Sequence, residues 1–128
     1  MIMILLDASA LLAVLQNEPG ASAVVEAMPE GAISAANLSE VAAKLVQHGV
    51  PGKEVVSILK SFDLDVLPVG EDIALQAGAL FAETQKFGLS LGDRLCLATA
   101  ISARLPVLTA DRSWAKVDVG GLKVELIR

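Results

Sequence analysis

Short runs of apolar residues that stop abruptly at a polar residue are the feature that most constrains how this chain can fold. The first run, Ile2 to Leu6, contains no polar residue and ends at Asp7. Strands that are apolar on both faces are typical of a parallel sheet that is covered by helices on both sides. A strand with one face in solvent would instead alternate apolar and polar residues. Further strands are expected near residues 32–35, 65–69, 106–109 and 122–127. Together these runs predict a central, mostly parallel sheet.

Apolar residues at helical spacing occupy the segments between these strands. Helices are expected over residues 9–16, 21–28, 37–48, 51–62, 71–87 and 90–104, of which 71–87 would be the longest. Alternating strands and helices predict an α/β fold, here a three-layer α/β/α sandwich with a mostly parallel sheet. No repeat, linker or low-complexity segment divides the sequence, so we expect a single domain over residues 1–128.

Composition restricts the class of protein. Hydrophobic residues make up 54% of the chain, but no uncharged apolar stretch approaches the roughly 20 residues that span a bilayer. The apolar start reaches Asp7 without a basic segment, so we do not expect a signal peptide. A single cysteine excludes an internal disulfide and a cysteine-rich zinc site. We therefore expect a cytoplasmic protein that does not enter a membrane.

The charge balance argues against one common way of binding nucleic acid. Ten basic and fifteen acidic residues give a net charge of −5, whereas proteins that bind mainly by neutralising phosphates are usually basic. One tryptophan and three phenylalanines are too few for a platform on which single-stranded bases stack. If the protein acts on nucleic acid, metal ions or a few local arginines must attract the phosphates.

Two acidic residues are expected at the carboxyl edge of the predicted sheet. Asp7 directly follows the first strand, and Asp111 follows residues 107–109 after one alanine. Open parallel sheets bind their ligands at this edge. Each acid also has a structural interpretation, because Asp7 could cap the next helix and Asp111 could order a turn.

Glu40 and Asp93 occupy equivalent places in two predicted helices. Each lies three residues after a capping candidate, Asn37 or Ser90, and could therefore be a capping-box residue with a structural role. Connections that return to the carboxyl edge could instead bring both acids near Asp7.

As a set, the four acids point to a metal site. Carboxylates gathered at one place raise one another's pKa unless a cation lies among them. Mg²⁺ is bound through one or two carboxylates together with water and substrate phosphate. Such an ion can activate a water nucleophile and neutralise charge on a phosphate. The sequence has no glycine-rich phosphate loop, Ser-His-Asp set or Cys/His metal spacing that would favour another chemistry.

Four segments carry these acids in order: LLDASALL (5–12), ISA with LSEV (33–35 and 38–41), LSLGD with ATA (89–93 and 98–100) and LTADR (108–112). In order and spacing, over essentially the whole chain, they resemble the four acidic motifs of PIN-domain ribonucleases. Within that family the segments are most similar to the VapC toxins of bacterial type II toxin–antitoxin modules.

The resemblance implies a Rossmann-like α/β/α sandwich and cleavage of RNA phosphodiester bonds that depends on Mg²⁺ or Mn²⁺. Asp7 and Asp93 match the acids most directly associated with metal, and Glu40 and Asp111 match those that complete or support the site. All four are therefore expected catalytic residues. The resemblance also implies an RNA substrate, a homodimer, and a cognate antitoxin that blocks the site.

Four polar neighbours of the acids are secondary candidates. Ser9 and Thr109 match hydroxyl residues that often accompany the first and fourth acids, and either could hydrogen-bond to a carboxylate or to the backbone. Arg94 and Arg112 directly follow the third and fourth acids, where they either contact a phosphate or balance the local charge. Arg94 departs from the family pattern, in which a small residue is common.

Two other functions remain open from the sequence. A phosphoacceptor signalling domain of the receiver type has a flavodoxin-like fold of suitable length. It would favour an acidic pair at the first strand and a lysine after a late strand, but here Asp7 stands alone and no lysine follows residues 107–109. A catalytically inactive PIN-like binding domain would require the four acids to lie apart in space.

Overall fold

The five strands form one parallel sheet in the computed structural model, which describes residues 3–128. The strands are β1 (Ile4–Leu6), β2 (Gly31–Ser34), β3 (Asp65–Leu67), β4 (Val107–Thr109) and β5 (Val124–Leu126). They lie in the order β3-β2-β1-β4-β5, and every neighbouring pair is parallel. The predicted α/β fold is confirmed. Ile2, which the first predicted strand included, lies outside the described residues, as does Met1.

Seven α-helices connect these strands over residues 3–128. They are α1 (Ala8–Leu15), α2 (Ala21–Ala27), α3 (Ala35–Gln47), α4 (Gly52–Ser61), α5 (Glu71–Ala79), α6 (Phe81–Thr84) and α7 (Leu91–Ala103). Short 3-10 turns occupy Met28–Glu30, Gln85–Phe87 and Arg112–Lys116. No helix in this part of the chain combines the length and the apolar character that crossing a membrane requires.

Alternate residues of the central strands face opposite helical layers, as the pleat of a strand requires. On one face, Leu5 and Val107 pack with side chains of α7. On the other face, Leu6 and Leu108 pack with α1 and α2, and Ile33 packs with α1, α3 and α4. Both faces of the sheet are covered, so the predicted three-layer sandwich is confirmed.

The single helix predicted over residues 71–87 is wrong, because the chain bends at Leu80 between α5 and α6. The backbone there has ψ of −1°, and both Leu80 and Thr84 are buried. The Thr84 hydroxyl donates to the Leu80 carbonyl at 2.8 Å, the kind of side-chain bond that bends helices. The longest helices within residues 3–128 are instead α3 and α7, with 13 residues each.

Helix α3 begins earlier than predicted, and its cap is a different residue. Ser34, the last residue of β2, accepts hydrogen bonds from the backbone N–H groups of Ala36 and Asn37 at 3.1 and 3.3 Å. Asn37, the predicted cap, therefore lies inside the first turn. Because no loop separates β2 from α3, the helix starts directly at the carboxyl edge of the sheet.

Candidate active site

The sheet order places the ends of β1 and β4 next to each other. β1 pairs with β4, so Asp7, which follows β1, lies beside Thr109, the last residue of β4. Asp7 also caps α1, because its Oδ1 accepts from the Ala10 N–H at 2.9 Å. The capping interpretation of Asp7 is therefore correct, and it leaves the carboxylate at the edge where ligands bind.

Both oxygens of the Asp7 carboxyl group accept a hydrogen bond from a hydroxyl group. Ser9 donates to Oδ1 at 2.7 Å, and Thr109 donates to Oδ2 at 2.5 Å. The same hydroxyl oxygens also accept hydrogen bonds from the backbone that follows β4. Ser9 accepts from the Ala110 N–H at 2.9 Å, and Thr109 accepts from the Asp111 N–H at 3.0 Å. Ser9 and Thr109 therefore serve the carboxylate and the backbone at once, and they tie Asp7 to the loop that carries Asp111.

The Asp7 side chain is almost completely buried, with 3% of its surface exposed. This burial raises the pKa of its carboxyl group to about 6, against the opposing effect of the hydrogen bonds from Thr109, Ser9 and Ala10. Repulsion from Asp93 raises the pKa further but is the smallest of these effects. A raised pKa among the acids was expected from mutual repulsion, whereas the main cause is removal from water.

Asp93 lies in the first turn of α7 as part of a complete capping box. The Ser90 hydroxyl accepts from the Asp93 N–H at 3.2 Å, and Asp93 Oδ2 accepts from the Ser90 N–H at 2.9 Å. Asp111 orders the turn after β4, because its Oδ1 accepts from the N–H and the hydroxyl of Ser113 at 3.0 and 2.7 Å. The structural interpretation is thus correct for both residues.

Glu40 differs from the other three acids because it caps no helix. It is exposed on α3, six residues after the Ser34 cap, and its Oε1 accepts from the side-chain amide of Asn37 at 2.6 Å. The same amide nitrogen donates to the Gly92 carbonyl in α7 at 3.3 Å. A Cβ atom at position 92 would overlap the Glu40 carboxylate. The first turns of α3 and α7 are therefore joined through these three residues.

Comparison with known proteins identifies the family. The PIN domain family model matches residues 4–120. The chain belongs to the PIN-domain family.

Several solved structures are similar to this PIN domain over nearly their whole length. A chain of a toxin–antitoxin complex from Klebsiella pneumoniae is 25% identical over 98% of both chains, with a TM-score of 0.73. A chain of DNA-bound VapBC from Salmonella typhimurium is 20% identical over all of both chains, with a TM-score of 0.77. A chain of VapBC-5 from Mycobacterium tuberculosis is 26% identical over 100% of this chain and 99% of that one, with a TM-score of 0.65. No match was found among curated proteins. The resemblance to VapC-type PIN proteins is confirmed.

The charges of three of the four predicted acids of the PIN domain act on the buried Cys96 in α7. Burial raises the pKa of the Cys96 thiol, and the charges of Asp7, Asp93 and Glu40 raise it further. Asp111 does not contribute to either raised pKa and joins the site through Thr109. Direct contacts tie Glu40 to the first turn of α7, which carries Asp93, and tie Asp7 to the loop that carries Asp111.

The PIN domain offers carboxylates for a metal but no closed cage of protein ligands. Among the residues described, no group of three or more His, Cys, Asp or Glu side chains is close enough to hold an ion. Mg²⁺ needs only one or two carboxylates when water and a phosphate complete its coordination. Asp7, together with Asp93 whose charge acts on it, therefore fits such an ion in donor chemistry.

Arg94 does not neutralise the acid that precedes it. Its Nη1 donates to the Ala77 carbonyl at 3.4 Å, and its guanidinium carbon lies 5.2 Å from the centroid of the Phe81 ring. Between residues 3 and 128 the one ion pair joins Arg128 to Glu18. The Arg94 charge beside the site is therefore not paired with a carboxylate of the described chain.

Sequence reasoning missed two residues that shape this site. Asn37 was expected only as a cap, and Gly92 was noted only as part of the third motif. The signal for Asn37 was its spacing of three residues from Glu40, which places both on one helix face. For Gly92 the signal was a glycine inside a helix, where it weakens the helix unless something needs the space.

Proposed function

We propose that this PIN domain is a Mg²⁺- or Mn²⁺-dependent endoribonuclease and the toxin of a toxin–antitoxin pair. The main observation behind the proposal is the buried Asp7 carboxyl group at the carboxyl edge of a PIN-type sheet. The charge of Asp93 acts on this group and raises its pKa. The proposal is supported by two structures that are described as toxin–antitoxin systems and are 25% and 26% identical to this chain. It treats residues 1–128 as one nuclease domain that acts in the cytoplasm.

Each acid has its own role in this proposal. Asp7 and Asp93 would hold the divalent cation, while Glu40 and Asp111 would orient the ion and its water. A cation bound there would supply an activated water nucleophile and stabilise the charge that develops on the phosphate. Ser9 and Thr109 fix the Asp7 carboxyl group in one orientation, because each donates to a different oxygen.

The sheet order argues against the receiver alternative. A flavodoxin-like receiver has the strand order 2-1-3-4-5, whereas this sheet has the order β3-β2-β1-β4-β5. The inactive binding domain requires the acids to lie apart, but Glu40 packs against Gly92, the residue before Asp93, and Thr109 bonds both Asp7 and the backbone of Asp111. The cleavage experiment tests this alternative as well, because an inactive binding domain would leave the RNA intact.

RNA cleavage by the purified protein tests the proposal. We expect structured RNA to be cut with Mg²⁺ or Mn²⁺, cleavage to stop with EDTA, and DNA of the same sequence to remain intact. Asp93→Asn, purified in the same way and shown to be folded, should be inactive, which excludes a contaminating nuclease. Asp118→Asn, which changes an exposed aspartate outside the site, should retain full activity. Intact RNA in the presence of folded protein and metal would favour the inactive binding domain.

Apolar surface supports the proposed protein partners. A groove of about 600 Å³ between α3, α4 and the edge strand β3 includes Leu38, Val56, Leu59 and Val66 in its lining. Such a groove suits an amphipathic antitoxin helix. Large exposed apolar side chains on α5, α6 and α7 (Leu75, Phe81 and Leu91) support a homodimer.

Growth and mass measurements test these partners. Expression of the protein alone should slow growth, and co-expression of a small protein encoded by a neighbouring gene should restore it. Light scattering on the purified protein should give the mass of two chains. Normal growth with a verified, folded product would contradict the toxin role even if RNA is cleaved.

A further inference from the structure

We infer that Asn37 and Gly92 are positioning residues of the active site, which together fix the Glu40 carboxylate against the first turn of α7. The inference rests on the proposed nuclease function and assigns new residues to it. Neither residue would touch the substrate phosphate in this role. Both act through Glu40, Asn37 by a hydrogen bond and Gly92 by the side chain that it lacks.

The orientation of the Asn37 side chain follows from its neighbours. Its two contacts, Glu40 Oε1 and the Gly92 carbonyl oxygen, can only accept, so the amide nitrogen must face them. The side chain is 1% exposed, and its Oδ1 finds no donor among the described residues. Burying an unpaired acceptor is unfavourable, and an apolar side chain of similar size would avoid it. A role in folding alone therefore does not explain an asparagine at this position.

The glycine at position 92 also lacks a conformational reason. It lies in the first turn of α7 without a positive φ, and alanine would favour the helix more strongly. A Cβ atom would overlap the Glu40 carboxylate, whereas one at Gly78 in α5 would meet nothing within 4 Å. The space at position 92 is therefore the space that Glu40 occupies, and Gly78 provides a matched control.

Glu40 has no structural role that would account for its fixed position. It is exposed, it caps no helix, and it forms no ion pair with the described part of the chain. Its hydrogen bond with Asn37 and its packing against Gly92 hold the Glu40 carboxylate in place. Gly92 directly precedes Asp93 in α7. The consequence of the arrangement is a defined position for the Glu40 carboxylate against the first turn of α7, which carries Asp93.

Kinetics of a glycine substitution test the inference. In Gly92→Ala the methyl group should displace the flexible Glu40 side chain, so kcat should fall roughly 10- to 100-fold, as for other residues that orient a metal site. KM should change little, and the melting temperature should not fall because alanine favours the helix. Gly78→Ala should leave both kinetic constants unchanged. Asn37→Leu, which keeps the bulk but cannot donate, should lower kcat similarly. Full activity of Gly92→Ala would overturn the inference.

A double-mutant cycle and NMR separate positioning from other effects. If Gly92 acts only through Glu40, Gly92→Ala should change kcat by less than about 2-fold in a Glu40→Ala background. In spectra without RNA or metal, the side-chain amide signals of Asn37 should shift and exchange faster in both Gly92→Ala and Glu40→Ala, but not in Gly78→Ala. Unchanged signals would overturn the inference. If the wild type does not cleave RNA, the nuclease proposal fails separately, and the NMR result alone decides whether Asn37 and Gly92 position Glu40.

Discussion

The two sides of the site hold their carboxylates in opposite ways. At the ends of β1 and β4, Asp7 is buried, caps α1 and accepts a hydrogen bond from a hydroxyl group at each oxygen. Where α3 meets α7, Glu40 is exposed, caps nothing, and is held by one buried amide and the space above Gly92.

This difference shows that some acids of the site support both the fold and the proposed chemistry, whereas another supports the chemistry alone. Asp7, Asp93 and Asp111 each accept backbone N–H bonds that order a helix or a turn, so a substitution there changes the fold and the site together. Glu40 accepts no such bond from the described backbone and contributes only its charge and position. The predictions below test this division.

The largest expected effect is the loss of cleavage in both Asp7→Asn and Glu40→Gln, on the order of 10²-fold or more. The two variants should differ in stability. Glu40→Gln should alter the free energy of unfolding by no more than about 0.5 kcal/mol, as for other exposed substitutions. Urea denaturation and initial cleavage rates measure both quantities, with Glu26→Gln on the exposed face of α2 as control. A marked destabilisation by Glu40→Gln would show that Glu40 also supports the fold.

The pH dependence of stability should reveal the burial of Asp7. Its folded pKa of about 6 lies above the ordinary value of 3.8, so the folded protein binds the proton more tightly. The resulting stabilisation is fully present below the ordinary pKa and is lost as the pH rises through 6. A rise of this size corresponds to a loss of about 3 kcal/mol in the free energy of unfolding. Asp7→Asn should remove this component between pH 4 and pH 8, while Glu40→Gln should retain it. Equal slopes in Asp7→Asn and wild type would contradict the burial effect.

A divalent cation should restore part of the stability that the protein loses when Asp7 ionises at high pH. An ion that binds only the folded state, at a hundred times its dissociation constant, adds about 2.7 kcal/mol. The increase in melting temperature with Mn²⁺ should be larger at pH 8 than at pH 5, because protons compete for the carboxylates at low pH. It should be much smaller in Asp7→Asn. A melting temperature that ignores Mn²⁺ at both pH values would mean that the acids serve the fold alone.

The sequence predicted the local part of this site better than the part made by packing. The bonds between Ser90 and Asp93 span three residues, so the spacing alone indicated the capping box. The bond between Asn37 and Gly92 joins positions 55 residues apart, and no local pattern contains it.

The errors in the fold have the same origin. Apolar spacing continued through residues 71–87, but the burial of Leu80 and Thr84 against the rest of the protein bends the chain there. The main cause of the raised Asp7 pKa was likewise not visible, because burial at the end of β1 depends on the assembled sheet.

The smallest effect distinguishes the cap of α7 from the acid that it holds. Ser90→Ala removes the hydroxyl that accepts from the Asp93 N–H, which should lower the free energy of unfolding by about 1 kcal/mol. Asp93 should nevertheless keep its position, because its Oδ2 accepts from the backbone N–H of residue 90, which alanine also has. Cleavage should therefore stay close to the wild-type rate, with the exposed Ser22→Ala in α2 as control for both measurements. If Ser90→Ala lost cleavage as completely as Asp93→Asn, the Ser90 hydroxyl would belong to the chemistry, and the division between fold and function in α7 would have to be redrawn.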